Sequence, residues 1–517
     1  MRVIDSFDNG AALYPDNLAF VDGPDKITYR DAQSQTRRIA AAIRGHGYAA
    51  GSKIGILGPN ANISFIALLG LFRSESVWLP VNPRNAVDAN IDLLDRFDCE
   101  LLMFHSNYEA EARAIMAAVE GIKEILCIDS QVDGIASLEG WLDGYSDTFE
   151  MAPEDPDGLF AIFPTGGTTG PSKGVMLVHK NIDTMFANYW SHLHYYDNTR
   201  HLVVAPMTHS AGILGCLHFA RGGTNYMMAA PSPEGVLQQI QEHGITHLFL
   251  PPTVLYMMLA QPNVRDYDCS SLQHFLIGAA PCSLEKLKEA IAVFGPVMTE
   301  GFGQTEAPAA ITIKAPWDYM DADGNIDEAR LQSIGRPAVF NEVAILDDED
   351  QPVANGTAGE ICIKGRLVTP GYYKNPEATA EIRTNGWHHT GDIGVKSDDG
   401  FITIVDRKKD MIITGGFNVF PNEIEQILTT HSAIQDCAVI GVPDEKWGES
   451  VKAVIQLKPG YTATEDELIA LTKQKLGSVK APKTVDFIAD LPRSAAGKVL
   501  KKDLRNLYWE GQSRAVN

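Results

Sequence analysis

Hydrophobic residues along the first third of the chain alternate between helical and strand patterns. Residues 30–44 have the spacing of an amphipathic helix, and residues 63–72 are apolar enough for a buried helix. Apolar runs predict buried strands at residues 54–57, 77–81 and 159–163. Strands that alternate with helices indicate a mostly parallel sheet with helices on its faces. We therefore expect a large α/β domain at the N-terminal end.

The pattern continues beyond this region and then changes. Further strands are predicted at residues 202–205, 247–250 and 274–277. From Gly335 onward, short alternating runs between Asp/Gly turns favour a small antiparallel or β-barrel-like unit. Asp399-Gly400 is a turn signal, and residues 401–405 are the predicted return strand of a hairpin. The large domain should thus combine mostly parallel sheets with a small β unit.

Five consecutive charged residues, at positions 406–410, mark a change of composition. Such a run is typical of a linker, and the roughly one hundred residues behind it are enough for a small domain. Pro421 indicates the start of one helix, and residues 464–467 form a capping box for another. Strands are predicted at residues 437–440 and 452–455. We predict an N-terminal domain of residues 1–407 and an α+β C-terminal domain of residues 408–517.

The composition and the net charge argue against some classes of partner. Of the 517 residues, 45% are hydrophobic and 21% are charged, as in ordinary soluble proteins. A formal net charge of −23 argues against nucleic acid or an anionic membrane as the main partner. The sequence has no signal-peptide core and no apolar run that could span a bilayer. We expect a cytoplasmic protein without an integral membrane segment, and a homo-oligomer stays open.

The cysteines carry little chemistry of their own. There are seven, an odd number, and no two form a Cys-x-x-Cys pair. This usage fits a reduced, cytosolic protein and predicts no zinc site.

A loop rich in glycine and threonine follows the strand predicted at residues 159–163. Residues 164–174 contain four glycines, three threonines and one lysine, Lys173. Glycines let backbone amides surround an anion, and the threonine and lysine side chains add donors. Ser172 and Gly174 flank the lysine, so this is not a Walker A loop. The residues alone leave two readings open, a solvated turn and a phosphate-binding loop.

The loop resembles the phosphate-binding loop of the adenylate-forming enzymes: acyl- and aryl-CoA synthetases, luciferases and peptide-synthetase adenylation domains. The family usually has Tyr-Thr-Ser-Gly-Thr-Thr-Gly-x-Pro-Lys-Gly, from which this chain departs at Phe163-Pro164, Gly166 and Ser172. Further matching segments follow in the family's order along nearly the whole chain. The resemblance implies a mobile C-terminal domain, ATP, CoA and a carboxylic acid as substrates, and Mg²⁺ as cofactor. The ATP-binding residues it implies in the loop are Thr165, Gly166, Gly167, Thr168, Thr169 and Lys173.

Residues 299–306 resemble the family's Tyr-Gly-x-Thr-Glu motif, with Phe302 in place of the tyrosine. By that likeness, Phe302 stacks on adenine, Thr305 hydrogen-bonds the α-phosphate, and Glu306 holds Mg²⁺. Glu300 would accept a hydrogen bond from the adenine amino group. Out of context, the same residues fit a glycine turn with a surface glutamate.

Three further segments resemble motifs that surround the nucleotide and the acid. Asp392, in a Thr-Gly-Asp segment, would accept hydrogen bonds from both ribose hydroxyls, and Arg407 would support the ribose. His209 would separate the acyl pocket from the tunnel of the thiol. A pocket wall beside the adenine would be formed by Gly278, Ala279 and Ala280. Taken singly, an ordinary turn or a structural histidine also explains these residues.

The C-terminal segments resemble the family's hinge, CoA site and catalytic lysine. Lys409 would be the pivot of the hinge, and Lys498 would bridge the attacking carboxylate and the α-phosphate. The segment near Lys480 has an alanine where some relatives carry arginine, which leaves phosphate contacts to lysines. Without the resemblance, the charge run and Lys498 read as solvated surface groups. The residues implied in CoA binding are Gly415, Gly416, Trp447, Lys480 and Lys483.

The resemblance implies an ATP-dependent carboxylic acid:CoA ligase that forms an acyl-adenylate, releases pyrophosphate, and then makes a thioester with CoA. Residues 209–214 lack the aspartate that amino-acid-activating domains usually carry nearby. Two alternatives stay open: a stand-alone adenylation enzyme that loads a carrier protein, and a non-catalytic nucleotide-binding relative. Lys173, Glu306 and Lys498 argue against the second. Small residues at positions 278–280, 307, 309 and 310 leave room for an aromatic or medium-to-long acyl group.

Overall fold

The computed structural model describes residues 1–165, 172–194, 198–280, 282–321, 323–444, 446–493 and 499–509. The chain divides into two units. The first holds the described residues of 1–343 and 363–386, and the second holds those of 344–362 and 387–509. The domain boundary between residues 407 and 408 stays a prediction.

Strands and helices are numbered here in chain order. The strands are β1 (Leu18–Asp22), β2 (Asp25–Thr28), β3 (Lys53–Leu57), β4 (Val77–Val81), β5 (Leu101–Phe104), β6 (Glu124–Cys127), β7 (Ala136–Ser137), β8 (Leu159–Pro164), β9 (Gly174–Val178), β10 (Arg200–Val203), β11 (Thr224–Met227), β12 (His247–Leu250), β13 (His274–Ile277), β14 (Met298–Gln304), β15 (Ala307–Lys314), β16 (Arg336–Pro337), β17 (Glu342–Leu346), β18 (Ala358–Lys364), β19 (Gly371–Tyr372), β20 (Arg383–Thr384), β21 (Trp387–Lys396), β22 (Ile402–Arg407), β23 (Ile412–Thr414), β24 (Phe417–Val419), β25 (Ile434–Asp444), β26 (Gly448–Leu457) and β27 (Thr484–Ile488). The helices are α1 (Val3–Leu13), α2 (Tyr29–Gly45), α3 (Asn62–Arg73), α4 (Val87–Arg96), α5 (Glu109–Ala118), α6 (Leu138–Trp141), α7 (His179–His192), α8 (Ser210–Cys216), α9 (Pro233–His243), α10 (Pro252–Leu259), α11 (Leu284–Phe294), α12 (Glu328–Leu331), α13 (Pro376–Glu381), α14 (Pro421–Leu428), α15 (Glu465–Lys480) and α16 (Lys501–Asn506).

Two large sheets form the framework of the first unit. One has the order β16-β15-β14-β13-β12-β10-β11-β1-β2, and the other has the order β19-β9-β8-β4-β3-β5-β6-β7. Strands β10 to β14 pair in parallel across the first sheet, whereas β2, β15 and β16 are antiparallel. In the second sheet, β9 runs antiparallel to both of its neighbours, β8 and β19, and the other described strand pairs are parallel. The predicted mixed, mostly parallel α/β architecture is confirmed.

The main core of the first unit is built around α3, the helix predicted from residues 63–72. Nearly all of its residues are buried, because the helix is apolar on every side. The Phe65 ring is fully buried, with ring centroids 5.2 Å from Phe20 and 5.9 Å from Phe219. Side chains from both sheets and from α2 and α7 belong to the same apolar cluster. The helix therefore links the packing of the two sheets.

Replacing Phe65 with alanine should lower the free energy of unfolding by about 3–5 kcal/mol, because it removes a buried ring and leaves a cavity. The same change at Phe340, which is 54% exposed, should cost less than about 0.5 kcal/mol. Denaturant unfolding of both variants measures the difference. Equal losses would show that α3 does not carry the core.

The second unit contains two small sheets. In the first, β17, β18 and β21 are neighbours and β22 pairs with β21. Lys396 faces Ile402 across the antiparallel β21–β22 pair, which confirms the hairpin predicted at Asp399-Gly400. Asp406 ends up buried in this sheet, where it accepts hydrogen bonds from the Asn422 and Arg407 amides, so the charge run is more than a solvated linker.

The C-terminal sheet has the order β24-β23-β26-β25, with β27 also paired to β26. Apolar residues of α14 and α15 join its core, including Ile424, Leu428 and Leu468. The predicted capping box is present, because the Thr464 hydroxyl accepts from the Glu467 amide and the Glu467 carboxylate accepts from Thr464. This confirms the small α+β domain at the C-terminal end.

Two further features bear on expectations from the sequence: the suitability of the helices for spanning a membrane, and the cysteines. Among the described residues, no helix has both the length and the apolar composition needed to cross a membrane. All seven cysteines are free thiols, and five of them are buried.

Candidate active site

The ends of the glycine- and threonine-rich loop are fixed by backbone pairing. Strands β8 and β9 are antiparallel, with Pro164 opposite Gly174. The Thr165 amide donates to the Lys173 carbonyl at 2.9 Å, and the Lys173 amide donates to Thr165 Oγ1 at 3.1 Å. The Ser172 hydroxyl closes the same turn on the Thr165 carbonyl at 2.7 Å. The predicted binding residues Gly166, Gly167, Thr168 and Thr169 lie outside the described residues.

Lys173 and Glu306 are linked through a tyrosine that the sequence analysis missed. The Lys173 Nζ lies 5.0 Å from the centre of the Tyr372 ring, within cation–π distance. The Tyr372 hydroxyl donates to Glu306 Oε1 at 2.6 Å. Burial, and then the Glu306 charge, raise the pKa of Tyr372, so the phenol stays a donor. The only signal for Tyr372 in the sequence is its place in a Gly-Tyr-Tyr run after Pro370.

Thr305 and Glu306 form the turn between β14 and β15. The Thr369 amide donates to the Glu306 carbonyl at 2.7 Å, which fixes the backbone of this turn. Glu306 is only 8% exposed, and Thr305 is half-buried. A buried carboxylate held by a phenol is a preorganised anionic group.

Glu300 lies in a buried ion pair. Its Oε2 is 2.6 Å from the Nζ of Lys314, a side chain that is fully buried. Lys314 also donates to the carbonyl of Ser333 at 2.6 Å and of Leu331 at 3.1 Å. Burial raises the pKa of Glu300, and the Lys314 charge opposes part of this shift. Lys314 was missed because a lysine at the end of an apolar strand usually points to solvent.

Small residues form a wall at the ends of β13 and β14. These strands are parallel, with Ile277 opposite Glu300, so Gly278, Ala279 and Ala280 emerge beside the segment that carries Phe302. A Cβ atom on Gly278 would lie 3.2 Å from the Gly301 carbonyl. Ala279 has a φ of +66°, a left-handed conformation that costs about 1–3 kcal/mol for a residue other than glycine. Such strain is often found at functional sites.

His209 is exposed and immediately precedes helix α8. Its Nδ1 lies 2.9 Å from the Ser210 hydroxyl. Its ring meets the Phe163 ring edge-to-face at a centroid distance of 6.5 Å. Because Phe163 belongs to β8, the structure brings His209 close to the strand that leads into the glycine-rich loop.

In the second unit, Asp392 and Arg407 are opposite residues of the β21–β22 pair. The Arg407 Nε lies 2.8 Å from Asp392 Oδ1. The aspartate side chain is 4% exposed and the arginine side chain 50%, so the pair reaches from the sheet to solvent. The structure thus joins the two residues that were predicted to contact the ribose.

A hydrogen-bonded glutamate, Glu360, holds the Thr-Gly-Asp turn. Its Oε1 accepts from the Gly391 amide at 2.9 Å, and its Oε2 lies 3.1 Å from both His389 Nδ1 and Lys408 Nζ. Burial alone would raise the pKa of Glu360, but these partners lower it. Donor atoms of Glu360, Cys362 and His389 lie within 4.8 Å of one another. Burial raises the pKa of the Cys362 thiol.

Three of the five predicted CoA-binding residues share one surface. The Gly415 amide donates to the Trp447 carbonyl at 2.9 Å, and Gly416 follows directly. A Cβ atom on Gly415 would lie 2.6 Å from the Trp447 ring, and the φ of Gly415 is +58°, so glycine is required there. Trp447 is 48% exposed, with the Lys446 Nζ 4.6 Å from its ring centre. An exposed indole is available for stacking.

The lysines that were predicted to bind CoA or to form the hinge lie in different environments. Lys480 forms an ion pair with Glu423, and Lys483 donates to the Ser478 carbonyl at 2.5 Å. Lys409 is exposed within a short 3₁₀ turn, Lys408–Asp410, that directly follows β22. Lys498 lies outside the described residues.

The sequence matches two families that together cover most of the chain. Residues 7–373 match the AMP-binding enzyme family, and residues 423–498 match the AMP-binding enzyme C-terminal domain. A medium/long-chain fatty acid–CoA ligase of Mycobacterium tuberculosis is 38% identical over 78% of this chain and 72% of its own length. A feruloyl-CoA synthase of Amycolatopsis sp. is 32% identical over 96% of this chain and 97% of its own.

A solved structure shows the same architecture. The amide bond synthetase of Marinactinospora thermotolerans has a TM-score of 0.87 and 26% identity, over 98% of this chain and 100% of its own. These matches cover nearly the whole chain, as do the motifs found in the sequence. The chain therefore belongs to the adenylate-forming, AMP-binding enzyme family and to its acyl-CoA synthetase branch.

Proposed function

We propose that the chain joins a carboxylic acid to CoA in two steps, at the expense of ATP. In the first, a carboxylate oxygen attacks the α-phosphorus of ATP, and pyrophosphate leaves. In the second, the CoA sulfur attacks the acyl carbonyl, AMP leaves, and the thiol proton is released. The observation that carries this proposal is the Lys173–Tyr372–Glu306 cluster beside the glycine-rich loop.

Lys173 and the loop amides would bind the polyphosphate, and Thr305 would hydrogen-bond the α-phosphate. Glu306 would hold Mg²⁺, since a carboxylate is a hard oxygen ligand and one of its oxygens is already oriented by Tyr372. When bound, Mg²⁺ offsets the negative charge of the phosphates. The cluster therefore places a cation and a carboxylate together, as ATP activation requires.

Three further side chains would hold the nucleoside. Phe302 would stack on adenine along the Gly278–Ala280 wall. Glu300 would accept from the adenine amino group while Lys314 keeps its carboxylate in place. Asp392, oriented by Arg407, would accept from the ribose hydroxyls.

For the second step, we propose that Gly415 and Gly416 line the path of the pantetheine and that Trp447 stacks on the CoA nucleotide. Lys480 and Lys483 would contact its phosphates. His209 would separate the acyl group from the incoming thiol. Lys498 acts only in the first step in this scheme, whereas Gly416 acts only in the second. The C-terminal domain, residues 408–517, would therefore turn about Lys409 between the steps.

Replacing Lys409 with proline should keep acyl-AMP formation but slow thioester formation roughly tenfold or more, because a fixed φ hinders rotation and leaves the groups of the second step misplaced. Lys409→Ala leaves the backbone free and is the matched control, with mild effects on both steps. Single-turnover assays of acyl-AMP formation and of acyl-CoA formation from supplied acyl-AMP separate the two. Wild-type rates in both assays for the proline variant would exclude Lys409 as the hinge.

The function is tested by CoA-dependent AMP release with a panel of carboxylic acids, both aromatic and aliphatic. We expect acyl-CoA to form when CoA is the only acceptor supplied. Acyl-AMP that accumulates without any thioester, and transfers only to a carrier protein, would favour the carrier-loading alternative. No AMP release with any acid would contradict the proposal.

A further inference from the structure

A glutamate, a cysteine and a histidine converge on the neighbouring strands β18 and β21 of the second unit. Glu360 and Cys362 are two residues apart on β18, so their side chains point to the same face of the sheet. His389 lies on β21. The two strands are joined at this point, because the Thr390 hydroxyl donates to the Ile361 carbonyl at 2.7 Å. Strand pairing thus fixes a group made of a carboxylate, a thiol and an imidazole.

The distances within this group match those of a zinc site. His389 Nδ1 lies 3.4 Å from the Cys362 sulfur and 3.1 Å from Glu360 Oε2. Donor atoms of all three residues lie within 4.8 Å of one another. Tetrahedral zinc holds sulfur and nitrogen ligands about 3.5 Å apart, and nitrogen and oxygen ligands about 3.3 Å apart. Little movement is therefore needed for one ion to contact all three side chains.

Hydrogen bonds within the group do not satisfy all of its contacts. A single imidazole nitrogen either donates or accepts, so Nδ1 cannot both donate to the Glu360 carboxylate and accept from the Cys362 thiol. The other ring nitrogen, Nε2, lies 3.3 Å from Asp350 Oδ1. A metal-bound histidine almost always has such a carboxylate or carbonyl at its second nitrogen, because this partner fixes the ring. With its proton on Nε2, His389 presents the Nδ1 lone pair to the other two side chains.

The present partners of Glu360 are compatible with a bound cation. Lys408 Nζ lies 3.1 Å from Glu360 Oε2, but it also lies 3.1 Å from Asp348 Oδ1. The ammonium therefore keeps a carboxylate partner when a divalent cation takes its place at Oε2. Glu360 Oε1 accepts from the Gly391 amide at 2.9 Å and is not needed for the metal. One positive charge would thus replace another without loss of the Gly391 contact.

The group is also within reach of solvent. Glu360 and Cys362 are buried, whereas 16% of the His389 side chain and 41% of the Lys408 side chain are exposed. An ion could therefore enter past the lysine and meet the histidine first. A metal site needs such an entry path in addition to its ligands.

We propose that Glu360, Cys362 and His389 bind Zn²⁺, with Asp350 orienting the histidine and water completing the coordination. Thiolate, imidazole and carboxylate ligands together favour Zn²⁺ over Mg²⁺ or Ca²⁺. On binding, the Cys362 thiol releases its proton to solvent, because the charge of the ion stabilises the thiolate. The cysteine spacing predicts no zinc site because it considers only ligands close in sequence, whereas these ligands come from two strands. The inference does not depend on the proposed function.

The test is metal binding to the full chain, kept reduced and freed of metal with a chelator. Competition with a zinc-binding dye should reveal one tight Zn²⁺ site per chain, which excess Mg²⁺ does not displace. Co²⁺ in the same site should give a thiolate-to-metal charge-transfer band in the near ultraviolet. Failure of the wild-type chain to bind Zn²⁺ more tightly than Mg²⁺ would overturn the inference.

Variants identify the ligands. Cys362→Ser and His389→Ala should each weaken Zn²⁺ binding about 100-fold or more, and Asp350→Asn about tenfold. Cys362→Ser should also abolish the cobalt band. Cys269→Ser, at a partly exposed cysteine outside the group, is the matched control and should change neither readout. Unchanged Zn²⁺ binding in both Cys362→Ser and His389→Ala would contradict the proposal.

Two further measurements separate binding from folding. Zn²⁺ should raise the unfolding temperature of the wild-type chain but not that of Cys362→Ser, and thermal unfolding without metal shows whether each variant folds. X-ray absorption of the wild-type zinc complex needs no variant, and it should show one sulfur among nitrogen and oxygen neighbours. A coordination shell without sulfur would overturn the inference and leave the proposed function untouched.

Discussion

Replacing Lys498 with alanine should slow acyl-AMP formation roughly 10²- to 10³-fold, the usual cost of losing a preorganised electrostatic group. Carboxylate and α-phosphate repel each other as they approach, and a lysine between them offsets that repulsion only while the new bond forms. Thioester formation from supplied acyl-AMP involves no such approach. It should therefore be much less affected. Single-turnover assays of the two half-reactions measure this difference.

Lys473→Ala provides the control for this variant. Lys473 is an exposed lysine of α15 in the same C-terminal unit, and its loss should leave both half-reactions near the wild-type rate. Equal losses of both half-reactions in Lys498→Ala would contradict a role confined to adenylation. A rate within a factor of three or so of wild type in both would remove Lys498 from the mechanism altogether, given the size of the effect expected.

For Glu306→Ala, we expect overall turnover to fall by about 10²-fold, with the largest loss at limiting Mg²⁺. The carboxylate is buried and held by Tyr372, so its position is fixed before ATP binds. Removing it takes away a proposed metal ligand and leaves the Tyr372 hydroxyl without its acceptor. The measurement is AMP release as a function of Mg²⁺ concentration.

Two further variants serve as comparisons for Glu306→Ala. Tyr372→Phe keeps the carboxylate but removes its hydrogen bond, so we expect a smaller loss that high Mg²⁺ partly rescues. Glu381→Ala removes an exposed carboxylate 3.8 Å from Lys173 and should leave turnover nearly unchanged. If Glu306→Ala matched Glu381→Ala at limiting Mg²⁺, Glu306 would have no role in metal binding.

Many helices and strands could be predicted because each depends on a hydrophobic or capping pattern within one short segment. The helix α3 is mostly apolar, strands such as β4 and β8 have continuous hydrophobic runs, and the capping box at Thr464 is a four-residue signal. The order of strands within the two large sheets was not predictable. It depends on contacts between segments far apart in sequence, such as β1 with β11.

The candidate site, too, could be predicted only where its residues belong to local motifs. Glu306, Asp392 and Arg407 follow from motifs that keep their spacing along the chain. Tyr372 and Lys314 do not, because each meets its carboxylate only after the chain has folded.

The most direct test of the two-step account is to isolate the intermediate. The enzyme is mixed with ATP, Mg²⁺ and the best acid of the panel in the absence of CoA, and the products are separated after one turnover. We predict enzyme-bound acyl-AMP with one equivalent of pyrophosphate, and its conversion to acyl-CoA and AMP when CoA is added. Formation of ADP and phosphate, or of acyl-CoA without prior pyrophosphate release, would contradict the account.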